Sequence, residues 1–183
     1  MDKIKNSRKT LLTVNKFDLA NLHYEKVNED GFLVLIVRDC LWYGFEKIFI
    51  RNILKCFGNN YKIIDIFDIE PINPDIFADS KIITNLPYSE YENILNKNYF
   101  ETKIFERNII VNKDDIKELG NSRYYENNCY CFEFSKQYEK ICLIILKQIL
   151  KCFGDYKIIN ISESYINGGM ICFDVKTNLS KID

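Results

Sequence analysis

Between residues 65 and 79 the chain carries Asp65, Asp68, Glu70, Asp75 and Asp79, with no Lys or Arg among them. Carboxylates this close together can hold a divalent cation or move protons. Their spacing matches no cation-binding loop, however, and no histidine accompanies them. Phe67, Ile72, Ile76 and Phe77 are interleaved with the acids, and Pro71 and Pro74 break the segment. Acids plus rings on a loop suit docking to a basic protein surface, with charge steering the approach and aromatic side chains anchoring the contact. Asp65, Asp68, Glu70, Asp75, Phe77 and Asp79 are therefore the expected partner-binding residues. The plain alternative is a solvated strand end whose acids keep the chain soluble.

Other chemistry is sparse. His23 is the single histidine, so any Ser-His or Cys-His pair would have to use it, and it lies in a short amphipathic stretch with no partner near it in sequence. The seven glycines fall at turns and helix ends, apart from Gly44, and none forms a phosphate-binding loop. Cysteines stand at 40, 56, 129, 131, 142, 152 and 172, mostly inside apolar runs where a free thiol packs as a small hydrophobe. Cys129 and Cys131 would share one face of a strand, but no second pair completes a metal site. Cofactor and metal are both expected to be none, and no catalytic residue stands out.

A nucleic-acid reading draws on different residues. Lys47, Arg51 and Lys55 recur every four positions along one predicted helix, as do Lys147 and Lys151 along another, so each set forms a stripe. Tyr130 and Phe132, with Phe134, alternate along a predicted strand as base-stacking residues do on RNA-binding sheets. Such stripes are also what a largely apolar helix leaves in water. With a net charge of −1, the whole chain offers little of the phosphate neutralisation on which non-specific binding rests. A local excess of Lys and Arg is confined to residues 1–16.

The elements that must position these residues follow from periodicity. Phe32 to Val37 is a continuous apolar run and reads as a buried strand. A helix over 40–57 follows, ended by Gly58, then a strand over 61–69. About 96 residues later the pattern returns as a strand at 129–134, a helix at 136–153 ended by Gly154, and a strand at 156–161. Ile53-Leu-Lys-Cys-Phe-Gly58 with Tyr61-Lys-Ile-Ile64 matches Ile149-Leu-Lys-Cys-Phe-Gly154 with Tyr156-Lys-Ile-Ile159, which points to internal duplication. Cys56 and Cys152 should then be buried and equivalent. Further elements are a strand at 11–17, a helix at 18–28, and a strand at 81–85. A short helix opened by Ser89 and Glu92 as a capping box is followed by a strand at 99–111 and a helix at 113–119 capped by Asn112. A hairpin at Asn167-Gly168 leads into a strand at 170–175.

The expected fold class is α+β, with duplicated β-α-β-β units in a ferredoxin-like or related helix-on-antiparallel-sheet sandwich. Residues 1–30 form an N-terminal basic arm and short helix, 31–111 the first unit with an inserted loop and short helix, 112–123 a connecting helix, and 124–183 the second unit. Abundant Ile, Asn and Lys beside 5 Arg and 2 Ala indicate an AT-rich coding genome. An odd cysteine count, no apolar signal core in the first residues and no membrane-length apolar run give the expectation of a reducing, cytoplasmic setting without a membrane partner.

The leading functional expectation is a small binding or inhibitory protein that blocks a larger protein or nucleoprotein by surface complementarity. A toxin-immunity protein or a phage anti-defence protein of the anti-CRISPR type would fit. Two other classes stand beside it: a module that binds nucleic acid or nucleotide directly, and an enzyme whose dispersed carboxylate site would place Asp65 or Asp68 in a deep pocket. A homodimer closed by surface aromatics is a further expectation.

Overall fold

Two dipeptides turn the chain sharply enough to set its topology. Asp30 and Gly31 have φ of 51° and 85°, and Asn127 and Asn128 have φ of 51° and 63°. Gly, Asn and Asp are the residues that take this left-handed conformation at least cost, and two-residue loops of this kind suit the twist of antiparallel strands. The first pair closes Glu29 on Phe32 and the second closes Glu126 on Cys129. The computed structural model describes residues 12–22, 24–37, 45–69, 79–96, 106–119, 123–167 and 169–180. It is a mixed α+β protein with antiparallel sheets.

In chain order the elements are β1 (Thr13–Val14), α1 (Asp18–Asn21), β2 (Glu25–Glu29), β3 (Phe32–Val37), α2 (Phe45–Phe57), β4 (Ile63–Ile69), β5 (Asp79–Pro87) and α3 (Tyr88–Leu95). Then come β6 (Arg107–Asn108), α4 (Asp115–Glu118), β7 (Arg123–Glu126), β8 (Cys129–Ser135), α5 (Glu139–Phe153), β9 (Ile158–Ile161), β10 (Tyr165–Asn167) and β11 (Met170–Ser180). The first sheet has the order β2-β3-β5-β4; the second has β7-β8-β11-β10, with β9 also pairing β11. In each, two strands joined by a helix (β3 to β4, β8 to β9) are separated by a later strand, β5 in the first sheet and β11 in the second. The halves thus keep separate sheets, and the short β1–β6 pair links their leading segments.

Local hydrogen bonding repeats from one half to the other. Thr84 Oγ1 donates to the Leu33 carbonyl at 2.7 Å, and Thr177 Oγ1 donates to that of Tyr130 at 2.8 Å. Asn85 Oδ1 accepts from Lys62 N, and Asn178 Oδ1 from Lys157 N, both at 2.7 Å. The Lys16 ammonium lies 5.1 Å from the Phe57 ring centre, and that of Lys113 lies 5.6 Å from Phe153. The Cys56 thiol sits 3.5 Å from the Val14 carbonyl and the Cys152 thiol 3.7 Å from that of Val111. The two thiols thus occupy matching places, each in the last turn of its helix, but both are half-buried rather than fully buried.

A single cluster of buried apolar side chains runs through both halves. Its aromatic centre joins Phe45 of α2 to Phe134 of β8, with ring centres 5.3 Å apart.

Several expected boundaries move. The helix expected at 18–28 stops at Asn21, where the Lys26 ammonium reaches the carbonyls of Ala20 and Leu22; the Asp30-Gly31 turn draws Glu25–Glu29 into the sheet instead. The strand expected at 129–134 is the second arm of a hairpin, since Asn127-Asn128 folds β7 back on β8. Helix α3 starts at Tyr88 behind Pro87 with no side-chain cap, so Ser89 and Glu92 form no capping box. The N-cap position of α4 is Asp114, without a side-chain cap, while Asn112 Oδ1 accepts from the N–H groups of Asp114 and Asp115 at 2.9 and 3.2 Å in the turn that leads into the helix. The basic arm, His23, Cys40, Gly44, Gly168 and most of the strand expected at 99–111 lie outside the described residues.

Candidate functional site

The expected partner-binding residues are only partly described. Asp65 is exposed on β4, the last strand of its sheet, and is directly opposite Ile83. Asp68 and Asp79 belong to β4 and β5, but their side chains, like the whole of Glu70, Asp75 and Phe77, lie outside the described residues.

The nucleic-acid set is not brought to one open face. Tyr130 and Phe132 are 3% and 0% exposed. They point into the core, because the alternation of β8 that aligns them with Phe134 aims all three at the helices. This corrects the base-stacking reading. On α2, Lys47 pairs with Glu118 at 2.9 Å, Arg51 pairs with Asp115 at 2.5 Å, and Lys55 bonds the Asn59 carbonyl. Lys147 and Lys151 are exposed on α5.

A different surface, not legible in the sequence, stands out at an edge of the second sheet that is free among the described residues. Phe173 and Val175 of β11 are buried beneath the helices, so Ile171, two residues earlier, shares their side of the sheet. Ile166 lies directly opposite Ile171, and Ile161 directly opposite Val175. This side of the hairpin is left uncovered: Ile166 is 77% exposed, Ile171 56% and Ile161 40%. A row of large aliphatic side chains open to water marks a contact surface more often than an accident of packing. Ile64 and Phe67 of β4 are also exposed, on the corresponding edge of the first sheet.

The opposite side of this hairpin holds it in place. Glu133 of β8 and Asp174 of β11 are direct cross-strand neighbours, an arrangement that like charges disfavour. Tyr165 of β10 reaches across β11, its hydroxyl 2.6 Å from Glu133 Oε2 and 2.9 Å from Asp174 Oδ1, so that its one proton is shared between them. Asn167 donates to both Glu133 oxygens at 3.2 and 3.1 Å. Tyr124 approaches Asp174 from β7 on the other flank. The first sheet has Ile36 and Lys81 as the matching cross-strand pair, so the carboxylate pair belongs to the second half alone.

Burial and the two carboxylates drive the Tyr165 phenol well above the ordinary tyrosine range. Burial first, then Asp174, pushes Tyr124 up to about 12. Both phenols therefore stay protonated as donors at neutral pH. A raised phenol pKa means that the folded state holds the proton more tightly. The stability it contributes is whole below the ordinary value of 10.0 and is lost as pH rises through the folded value. Tyr124→Phe and Tyr165→Phe should each lose less stability than the parent between about pH 8 and about pH 11. Urea titrations at the two pH values test this, and equal losses in all three proteins would refute it.

Among the described residues no group of three or more His, Cys, Asp or Glu is placed to hold a metal ion, and no helix is long and apolar enough to cross a membrane. No protein-family model, curated protein or solved structure matches the chain.

Proposed function

We propose that the protein is a binding or inhibitory module that engages a larger protein or nucleoprotein in the cytoplasm by surface complementarity, as an immunity or anti-defence protein does. The observation that carries this reading is the exposed row Ile161, Ile166 and Ile171 beside the free strand edge of β10. An uncovered edge strand can pair with a strand of another chain while alternate side chains fill pockets on it. The Tyr165 and Asn167 bonds to Glu133 fix the hairpin before contact, which reduces the ordering that binding would otherwise require. Asp65 and Asp68 belong to β4, the corresponding edge strand of the first sheet, and would supply charge steering toward a basic surface, with Glu70, Asp75 and Asp79 as the further acids of that segment.

Each half is, in this reading, one copy of a duplicated split β-α-β unit related to the ferredoxin-like arrangement, with a leading hairpin strand where that fold has its second helix and last strand. Duplication gives two similar edges, of which the second has acquired the aliphatic row.

The test is capture from an extract of the cell that meets this protein, with and without nuclease, comparing the parent with Ile166→Asp/Ile171→Asp. Both positions are exposed, so the double variant should unfold within about 0.5 kcal/mol per site of the parent. A stoichiometric protein partner that survives nuclease and is lost by the variant is the expected result. A partner kept by the variant, or recovery of nucleic acid alone, would overturn the reading. A parent that elutes as a dimer and a variant that elutes as a monomer would assign the edge to self-association instead.

A further inference from the structure

Where the two halves meet, each leading segment makes the same turn. Asn15 Oδ1 accepts from Phe17 N at 2.8 Å and Asp18 Oδ2 from Asn15 N at 2.6 Å. In the second half Asn112 Oδ1 accepts from Asp114 N at 2.9 Å and Asp115 Oδ2 from Asn112 N at 2.8 Å. Asp18 and Asp115 are thus held in the same way, yet their surroundings differ. At Asp115 the seam is plugged by a guanidinium: Arg51 of α2 places Nη1 2.5 Å from Oδ1 and Nη2 2.8 Å from Oδ2, and Nη2 also donates to the Ile110 carbonyl at 3.1 Å.

At Asp18 there is a hole. A cavity of about 280 Å³ is lined by Thr13, Val14, Asp18, Leu22, Phe49 and Ile141, among others. Three matched positions account for it. The α5 residue in the place of Arg51 is Lys147, which is exposed and has no ion-pair partner among the described residues. Thr13 stands in the place of Ile110, and Ile141 replaces the larger Phe45, which in the first helix packs against Phe134.

We propose that this cavity is a binding site for a small alkyl cation, an alkylguanidinium or alkylammonium, whose charged head takes on Asp18 the place that Arg51 takes on Asp115. Val14, Leu22, Phe49, Ile53 and Ile141 offer the alkyl body an apolar wall, and ligand sites of this kind pair such walls with a few placed polar groups. Glu106 adds negative charge at the rim: it accepts a bond from Thr13 Oγ1 at 3.2 Å, and, after burial, it is the charge that disfavours ionised Asp18. A half-buried carboxylate that, among the described residues, meets another acid and no cation is the group a bound cation would satisfy. Two acids do not make a site for a bare metal ion, which needs several oxygen ligands, and no group of three or more His, Cys, Asp or Glu is placed to hold one among the described residues.

n-Butylguanidinium, titrated into the full chain and followed by thermal shift and calorimetry, is the direct probe, with n-butylurea as its uncharged counterpart. The expected result is saturable stabilisation by the cation and none by the urea. Asp18→Asn, which keeps an acceptor for Asn15 N, should weaken the cation by about tenfold or more. Lys147→Arg should plug the seam from within, raising Tm without ligand and abolishing the response. A Gly-Arg-Gly peptide run beside the free cation separates the sources: tighter peptide binding assigns the site to an arginine of a partner chain, and tighter binding of the free cation assigns it to a small molecule. No response in the parent, an equal response to n-butylurea, or full responses in both variants would overturn the proposal.

Discussion

Replacing Arg51 with methionine is expected to cost the fold about 3–5 kcal/mol, the usual penalty for leaving one partner of a buried ion pair alone. Asp115 is 1% exposed, and the Arg51 fork provides both of its charged contacts. Methionine preserves much of the packing volume, so the loss comes from a carboxylate stranded out of water rather than from a cavity. The guanidinium is itself held above its ordinary range, chiefly by its bond to Asp115. Removing both charges in Arg51→Met/Asp115→Leu should recover much of the loss, because an apolar pair of similar size no longer strands a charge. Lys47 and Glu118 lie beside this pair but are about 40% and 36% exposed. Lys47→Met should therefore cost less than about 1 kcal/mol. Urea unfolding of the four proteins decides the matter. An Arg51→Met variant as stable as Lys47→Met would mean that the seam is not held by this pair.

That seam was invisible in the sequence, and the reason is physical. Arg51 belongs to a run of Lys47, Arg51 and Lys55 whose four-residue spacing predicts only that the three share a stripe. Spacing does not say what the stripe meets, and it meets the first turn of the other half's short helix. The strands from Phe32 and Cys129 and the two long helices were legible because apolar runs and glycine stops specify them locally. Strand β2 was misread because Glu25–Glu29 is short and mostly polar, and only its partner β3 makes it a strand. The same holds for β7, where Tyr124 and Tyr125 run on in sequence into the aromatic β8. The matching of the halves was read from the helix ends. Thr84-Asn85-Leu86 with Thr177-Asn178-Leu179, and Val14-Asn15-Lys16 with Val111-Asn112-Lys113, were missed because three residues in an Asn- and Lys-rich chain carry little weight. Their hydrogen bonds identify them instead. The exposed row on β10 and β11 could not be found from composition, since Ile166 and Ile171 look like any core isoleucines until the fold leaves them open to water.

The second large effect is expected at Phe134, which is 1% exposed and lies where the two halves share their core. Its ring centre is 5.3 Å from Phe45, 5.8 Å from Phe132 and 5.9 Å from Phe173. Phe134→Ala removes a large buried ring from among three others that cannot all close the gap, so the expected cost is about 3–5 kcal/mol. Phe45→Ala should cost a similar amount from the other half. Because the two rings touch, the double variant should lose less than the sum of the singles, by about 0.5–1.5 kcal/mol. The deeper consequence concerns cooperativity. If one core serves both halves, a defect at Phe134 weakens the first sheet as much as the second. Fluorescence of Trp42, the single tryptophan and a residue of the first half, should then move to lower urea together with far-ultraviolet dichroism of the whole chain. Two separate transitions, with only the dichroism displaced, would show that the halves unfold independently and that the Phe45–Phe134 contact is peripheral. One shared transition would mean that the edge strand proposed to meet a partner draws its stability from residues in both halves.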